Sequence, residues 1–119
     1  MKKETQIVKE ILQFLRSKEI FAWRVNTTGL YDPFSSTGFR AMTGYQMKGM
    51  SDIIGIYKKK FLAIEVKTPK RAKLCSEEQK DFLARVTEEG GVAFVATSVE
   101  DVQVFLNAWI TCPNHYGGN

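Results

Sequence analysis

The sequence predicts an α/β fold, a mixed β-sheet flanked by helices, with elements in the order α-β-(loop)-β-β-α-β-α. Three observations carry this. The chain opens on an amphipathic helical pattern, two extended runs are joined by a short lysine turn, and a capped helix, a strand and a further helix close it. The 119 residues fit one ordinary domain, taken as residues 1–110 with a tail at 111–119.

Each element has a local reason. Ile7, Val8, Ile11, Leu12, Phe14 and Leu15 recur at helical spacing, so residues from about 3 to 17 form the first helix. On the helical wheel Glu4 shares the mean direction of these residues, whereas Glu10 lies off it by roughly 110°. Glu4 therefore sits on the apolar face, one turn ahead of the core positions. Ile20–Val25 is rich in β-branched and aromatic types and reads as a strand, ended by the breaker cluster at Asn26–Gly29. Trp23 can stack or pack, and as an aromatic in a strand it is expected in the core. A long segment follows, from about 26 to 50, with a short strand expected near Phe39–Tyr45. Loops of this length inside compact domains are usually functional. Its Phe34, Phe39, Tyr45 and Met47 are available to order against a binding partner or a second subunit.

Asp52–Tyr57 is the second strand of the core, Lys58–Lys60 a tight polar turn, and Phe61–Lys67 the third strand. That third strand is apolar on both faces until Glu65, so it should be central and covered on both sides. Thr68-Pro69 ends it, because proline cannot continue a ladder. Ser76 caps a helix over 77–88, with Glu77 and Glu78 in its first turn, and Gly90-Gly91 stops it. Val92–Ala96 is the fourth strand. Ser98–Asp101 caps a last helix running to about Trp109.

Hydrophobic residues make up 44% and charged residues 25% of the chain, ordinary values for a globular protein. No apolar run is long enough to span a membrane, the N-terminus does not read as a signal peptide, and a cytoplasmic location is the default expectation. Cys75 and Cys112 suggest no disulfide framework. Cys112-x-x-His115 has no second ligand pair to close a zinc site and reads as part of a frayed tail. Net charge is +4, and from Lys58 to Lys73 seven basic residues accompany a single acid, Glu65. A basic cluster around a few acids suits a polyanionic partner. A solvated turn and loop would give the same composition.

The chemistry lies in one juxtaposition. Residues two apart on a strand share a face, so Glu65 and Lys67 point the same way. If the hairpin turn is centred between two residues, Asp52 falls opposite Glu65 or Lys67 and on that same face. Two carboxylates this close repel unless a cation binds them, and hard oxygen ligands select Mg²⁺ or Mn²⁺. A lysine beside such a metal can orient water and offset charge on a phosphate in transit. A salt bridge between Lys67 and one acid is the competing reading. Gln79 heads the apolar stripe of its helix, and Ser76-x-x-Gln79 is also a capping box, so a role in the site and a role in the cap are both open.

With these residues in order, the sequence resembles the VRR-NUC branch of the PD-(D/E)xK nuclease superfamily. The resemblance rests on Glu4, Lys48-Gly49-Met50-Ser51-Asp52, Glu65-Val66-Lys67, Gln79 and Gly90-Gly91, and covers about residues 3 to 109. It implies a restriction-endonuclease-like mixed sheet core and a metal-dependent endonuclease acting on DNA, duplex or branched. It also implies that Asp52, Glu65 and the backbone carbonyl of Val66 bind the metal and that Lys67 is catalytic. Gln79 matches a residue near the site, and Glu4 an acid that contributes to metal binding directly or through water. The proline that names the superfamily is Ser51 here, which leaves the acid in place. Standalone domains of this size resemble phage and bacterial members, some of which act as dimers on branched DNA.

Arg24, Asn26, Arg40, Lys48, Lys70, Arg71 and Lys73 are candidate contacts to nucleic-acid backbone. The functional expectation is an Mg²⁺- or Mn²⁺-dependent DNA endonuclease, junction-resolving or nicking, as a homodimer. Its alternatives are a non-catalytic nucleic-acid-binding domain and a nuclease subunit of a larger repair or restriction assembly.

Overall fold

A computed structural model describes residues 2–25, 30–31, 39–40 and 49–111. Helix α1 (Glu4–Ser17) is followed by β1 (Phe21–Arg24), the two-residue strands β2 (Leu30–Tyr31) and β3 (Phe39–Arg40), β4 (Ile53–Tyr57) and β5 (Lys60–Val66). A 3₁₀ turn (Pro69–Arg71), α2 (Glu77–Glu88), β6 (Val92–Ala96) and α3 (Val99–Thr111) complete the chain. The main sheet has the order β1-β4-β5-β6, with β2 and β3 as a separate antiparallel ribbon. The first two pairings are antiparallel, and the last, β5 with β6, is parallel. Its crossover is α2, the connection that parallel strands require. The expected mixed α/β sheet and its element order are therefore present.

The apolar periodicity of α1 buries Ile7, Val8, Ile11 and Leu15. They pack with Ile53, Leu62, Ile64 and Val66 of the sheet and with Val102 and Leu106 of α3. The other face of the sheet carries a smaller core, in which Ile54 and Ala63 meet Phe82 and Val86 of α2. Strand β5 lies between these layers, and every residue from Leu62 to Val66 is buried, as its uninterrupted apolar run predicts.

Helix α1 ends on Glu19 at φ 60°, with the Ile20 amide donating to the Leu15 carbonyl at 2.9 Å. This is the hydrogen-bonded stop usually built on glycine. Helix α2 stops in the same way at Gly90, where φ is 92° and the Gly91 amide donates to the Val86 carbonyl.

The hairpin turn is shorter than the lysine run suggested. Lys60 already pairs with Tyr57, so the loop is Lys58-Lys59 alone, with φ values of 50° and 70°. Two left-handed residues give the turn that matches the twist of the flanking strands. Trp23 also departs from expectation: it is 42% exposed. Strand β1 is an edge of the sheet, and α2 packs chiefly over β5 and β6, which leaves Trp23 partly exposed. The Cys112-x-x-His115 pair lies outside the described residues, as do Phe34, Tyr45 and Met47; the side chain of Phe39 is likewise not described.

Candidate active site

The turn sets the register, and the register sets the site. With Lys58-Lys59 as the loop, Ile53 lies opposite Ile64, and the next positions outward are Asp52 and Glu65. The ladder stops at Ile53 because Asp52 bonds differently. Its backbone carbonyl accepts from the Val25 amide at 2.8 Å, and its Oδ2 accepts from the Val66 amide, also at 2.8 Å. The carboxylate is thus oriented by the strand that carries Glu65. Lys67 continues along β6, its amide donating to the Ala96 carbonyl at 3.1 Å.

Glu65 and Lys67 are buried charged residues, 3% and 7% exposed. Lys67 Nζ lies 3.6 Å from Glu65 Oε2. Gln79, from the first turn of α2, closes the group. Its Nε2 donates to Glu65 Oε2 at 2.8 Å, while its Oε1 accepts from Lys67 Nζ at 3.2 Å and from the Ser76 amide at 2.9 Å. The Gln79 amide in turn donates to Ser76 Oγ at 3.1 Å. The capping box and the contact with the buried charges therefore coexist in one side chain.

The approach of α2 depends on Gly49. Its φ is 74°, and a Cβ there would lie 2.3 Å from the Glu78 carbonyl carbon and 2.7 Å from the Gln79 nitrogen. Only a residue without a side chain lets the segment entering Asp52 pass this close to the first turn of α2. Nothing in the periodicity of the sequence signals this contact.

Electrostatically the group is short of positive charge. Burial pushes the Glu65 carboxyl up to about 8, and the neighbouring Asp52 carboxylate adds to the shift; Lys67 opposes both without cancelling them. Two acids sharing one lysine therefore favour either a proton or a further cation. Two carboxylates fit Mg²⁺ or Mn²⁺, which keep several waters and need no all-protein cage. Among the described residues no group of three Asp, Glu, His or Cys side chains stands close enough to hold a metal.

Glu4 therefore does not join Asp52 and Glu65 as a third neighbouring acid. It lies half-buried in the first turn of α1. That end of α1 lies at the same end of the sheet as Lys67, where Ile7 and Glu10 share a groove of about 350 Å³ with Pro69 and Thr97, but α1 packs on the face opposite the one that carries Lys67 and α2. Of the expected nucleic-acid contacts, Arg24 is exposed at the end of β1, and Lys70, Arg71 and Lys73 are exposed just after Lys67. Asn26 and Lys48 lie outside the described residues, and the side chain of Arg40 is not described.

Sequence reasoning assigned Ser51 no role beyond standing in the place of a proline. Its hydroxyl is fully buried and has no hydrogen-bond partner among the described residues. No helix among the described residues is long and apolar enough to cross a membrane.

The family model for the VRR-NUC domain matches residues 2–100. No curated protein matches the chain.

Proposed function

The chain belongs to the VRR-NUC family of the PD-(D/E)xK nuclease superfamily, and from that premise we propose that it is a DNA endonuclease dependent on Mg²⁺ or Mn²⁺. The observation that carries the proposal is the adjacent placement of Asp52 and Glu65, with Lys67 and Gln79 closing around Glu65. In this reading Asp52, Glu65 and the Val66 carbonyl hold the metal, and Glu4 acts through water.

A divalent cation bound there would polarise a phosphoryl oxygen and acidify a water. The protein's own part is positional. The Val66 amide fixes the Asp52 carboxylate, and Gln79 holds Glu65 and Lys67 in one geometry. The buried Lys67 ammonium offsets negative charge as a fifth oxygen approaches phosphorus, where low polarity strengthens its effect. Arg24, Lys70, Arg71 and Lys73 would contact backbone phosphates and fix register without reading bases. Asn26, Arg40 and Lys48 belong to the same proposal on sequence grounds. One site cuts one strand, so paired cuts in two strands call for a homodimer.

The test is cleavage of labelled duplexes, flaps and four-way junctions with and without Mg²⁺ or Mn²⁺, beside Lys67→Ala. The proposal predicts cleavage that needs metal and is lost in the variant. Absence of metal-dependent cleavage on every substrate, or full activity in Lys67→Ala, contradicts it.

A further inference from the structure

The face of the sheet that carries Glu65 is left partly open. Cross-strand partners share a face, so the register places Phe21, Ile56 and Phe61 in one row and Trp23, Ile54 and Ala63 in the next. Asp52 and Glu65 follow in the third. Successive rows are about 7 Å apart, because each spans two residues of strand. Ile54 and Ala63 are buried under α2, but Phe21 is 68% exposed, Ile56 48%, Phe61 44% and Trp23 42%. The Phe21 and Trp23 rings lie 5.0 Å apart.

This strip continues into a groove of about 490 Å³ in which Phe61 and Phe82 meet Lys59, Lys60 and Arg85, with Glu89 bonded to Arg85. One end of the strip is therefore cationic, and the other end reaches the candidate active site. Lys59, at that cationic end, is held at a positive φ that side chains rarely adopt. A protein partner would be met equally well by aliphatic residues, and three of the four exposed side chains here are aromatic. Flat rings bounded by cations match a chain of bases joined by phosphates, because stacking accepts any base and the rim answers the backbone charge.

We propose that Phe21, Trp23 and Phe61 stack the bases of an unpaired DNA strand running between the carboxylate pair and the lysine turn, so that the substrate carries a single-stranded portion. The inference rests on the reading of the site as a phosphodiester hydrolase. Paired bases present only their edges and cannot lie flat on these rings.

The experiment measures binding of labelled oligothymidine, and of a duplex of equal length, to the full chain in EDTA, so that nothing is cut. Trp23→Ala and Phe61→Ala should each weaken oligothymidine binding by about tenfold, with duplex affinity changing less than about twofold. Trp23→Phe should retain most of the affinity. Phe61→Leu keeps the apolar bulk and should still lose affinity; it carries the test if an alanine variant fails to fold by circular dichroism. Unchanged oligothymidine binding, or equal losses on both DNAs, overturns the inference. So does sedimentation showing that Trp23→Ala converts a dimer to monomers, which would make the strip a self-interface. The two readings fail separately. Metal-dependent cleavage alongside Trp23-independent strand binding removes only the stacking face. Trp23-dependent strand binding without any cleavage removes only the hydrolase.

Discussion

Gln79 Nε2 donates to Glu65 Oε2 at 2.8 Å, from a side chain whose Oε1 accepts the Ser76 amide of the helix cap. The N-terminus of α2 and the buried acid are thereby tied through one amide group. Gln79→Ala removes a cap partner and a hydrogen bond to a charged group together. It should cost about 1–3 kcal/mol in urea unfolding and about tenfold to hundredfold in cleavage rate, the usual effect of losing a residue that orients a metal ligand. Ser76→Ala removes only the hydroxyl that accepts from the Gln79 amide. It should cost about 1 kcal/mol and leave the rate within a few-fold of wild type. Equal rate losses in both variants would show that Gln79 acts on the site only through the helix.

Gly49 should tolerate no side chain. A Cβ there meets the Glu78 carbonyl at 2.3 Å in a backbone conformation already unfavourable for other residues. Gly49→Ala is therefore expected to destabilise by about 2–4 kcal/mol, through both clash and strain. Gly90→Ala is the control. It keeps a positive φ of 92° but has open space around it, so strain alone should cost about 1 kcal/mol. Chemical denaturation of the two variants compares them, and similar costs would rule out the close approach of Gly49 to α2.

Glu65 makes the stability of the metal-free protein depend on pH. Its carboxyl is held up at about 8 against an ordinary value of 4.5, so the folded chain binds this proton more tightly than the unfolded chain does. The contribution is complete below about pH 4.5 and is lost as pH rises towards 8. Melting in EDTA should therefore fall over that window. Glu65→Gln, neutral at every pH, should flatten the fall, and added Mn²⁺ should reverse it in the wild type. A melting temperature that rises through this window equally in both proteins contradicts the assignment.

Ser51 stands where the superfamily is named for a proline, and its buried hydroxyl has no partner among the described residues. A buried unpaired hydroxyl costs free energy that an apolar group of similar size does not. Ser51→Ala should be neutral or stabilising by up to about 1 kcal/mol in denaturant unfolding. A loss of more than about 1 kcal/mol would mean that the hydroxyl is bonded in solution.

The strand pattern was enough to bring Asp52 and Glu65 together. A hairpin centred between two residues puts like parities opposite one another, and the apolar run of β5 shows that this strand is central. Other features depend on packing that no local pattern encodes. Whether Gln79 faces the cap or the acid cannot be read along one helix, and in three dimensions it faces both. The need for glycine at 49 comes from a helix nearly thirty residues further on. Trp23 was expected in the core because strand composition does not distinguish an edge from a centre, and β1 turned out to be the edge. The tight turn is legible in the sequence, but its left-handed pair Lys58-Lys59 is not, because lysine is an unusual residue at a positive φ.

The most direct measurement is calorimetric titration of Mn²⁺ into the wild-type chain, Asp52→Asn and Glu65→Gln at neutral pH, with folding checked by circular dichroism. The two-carboxylate account predicts saturable binding to the wild type, with release of the Glu65 proton, and loss of that binding in each folded variant. Equal binding in all three proteins, or none in the wild type even with DNA present, would contradict it.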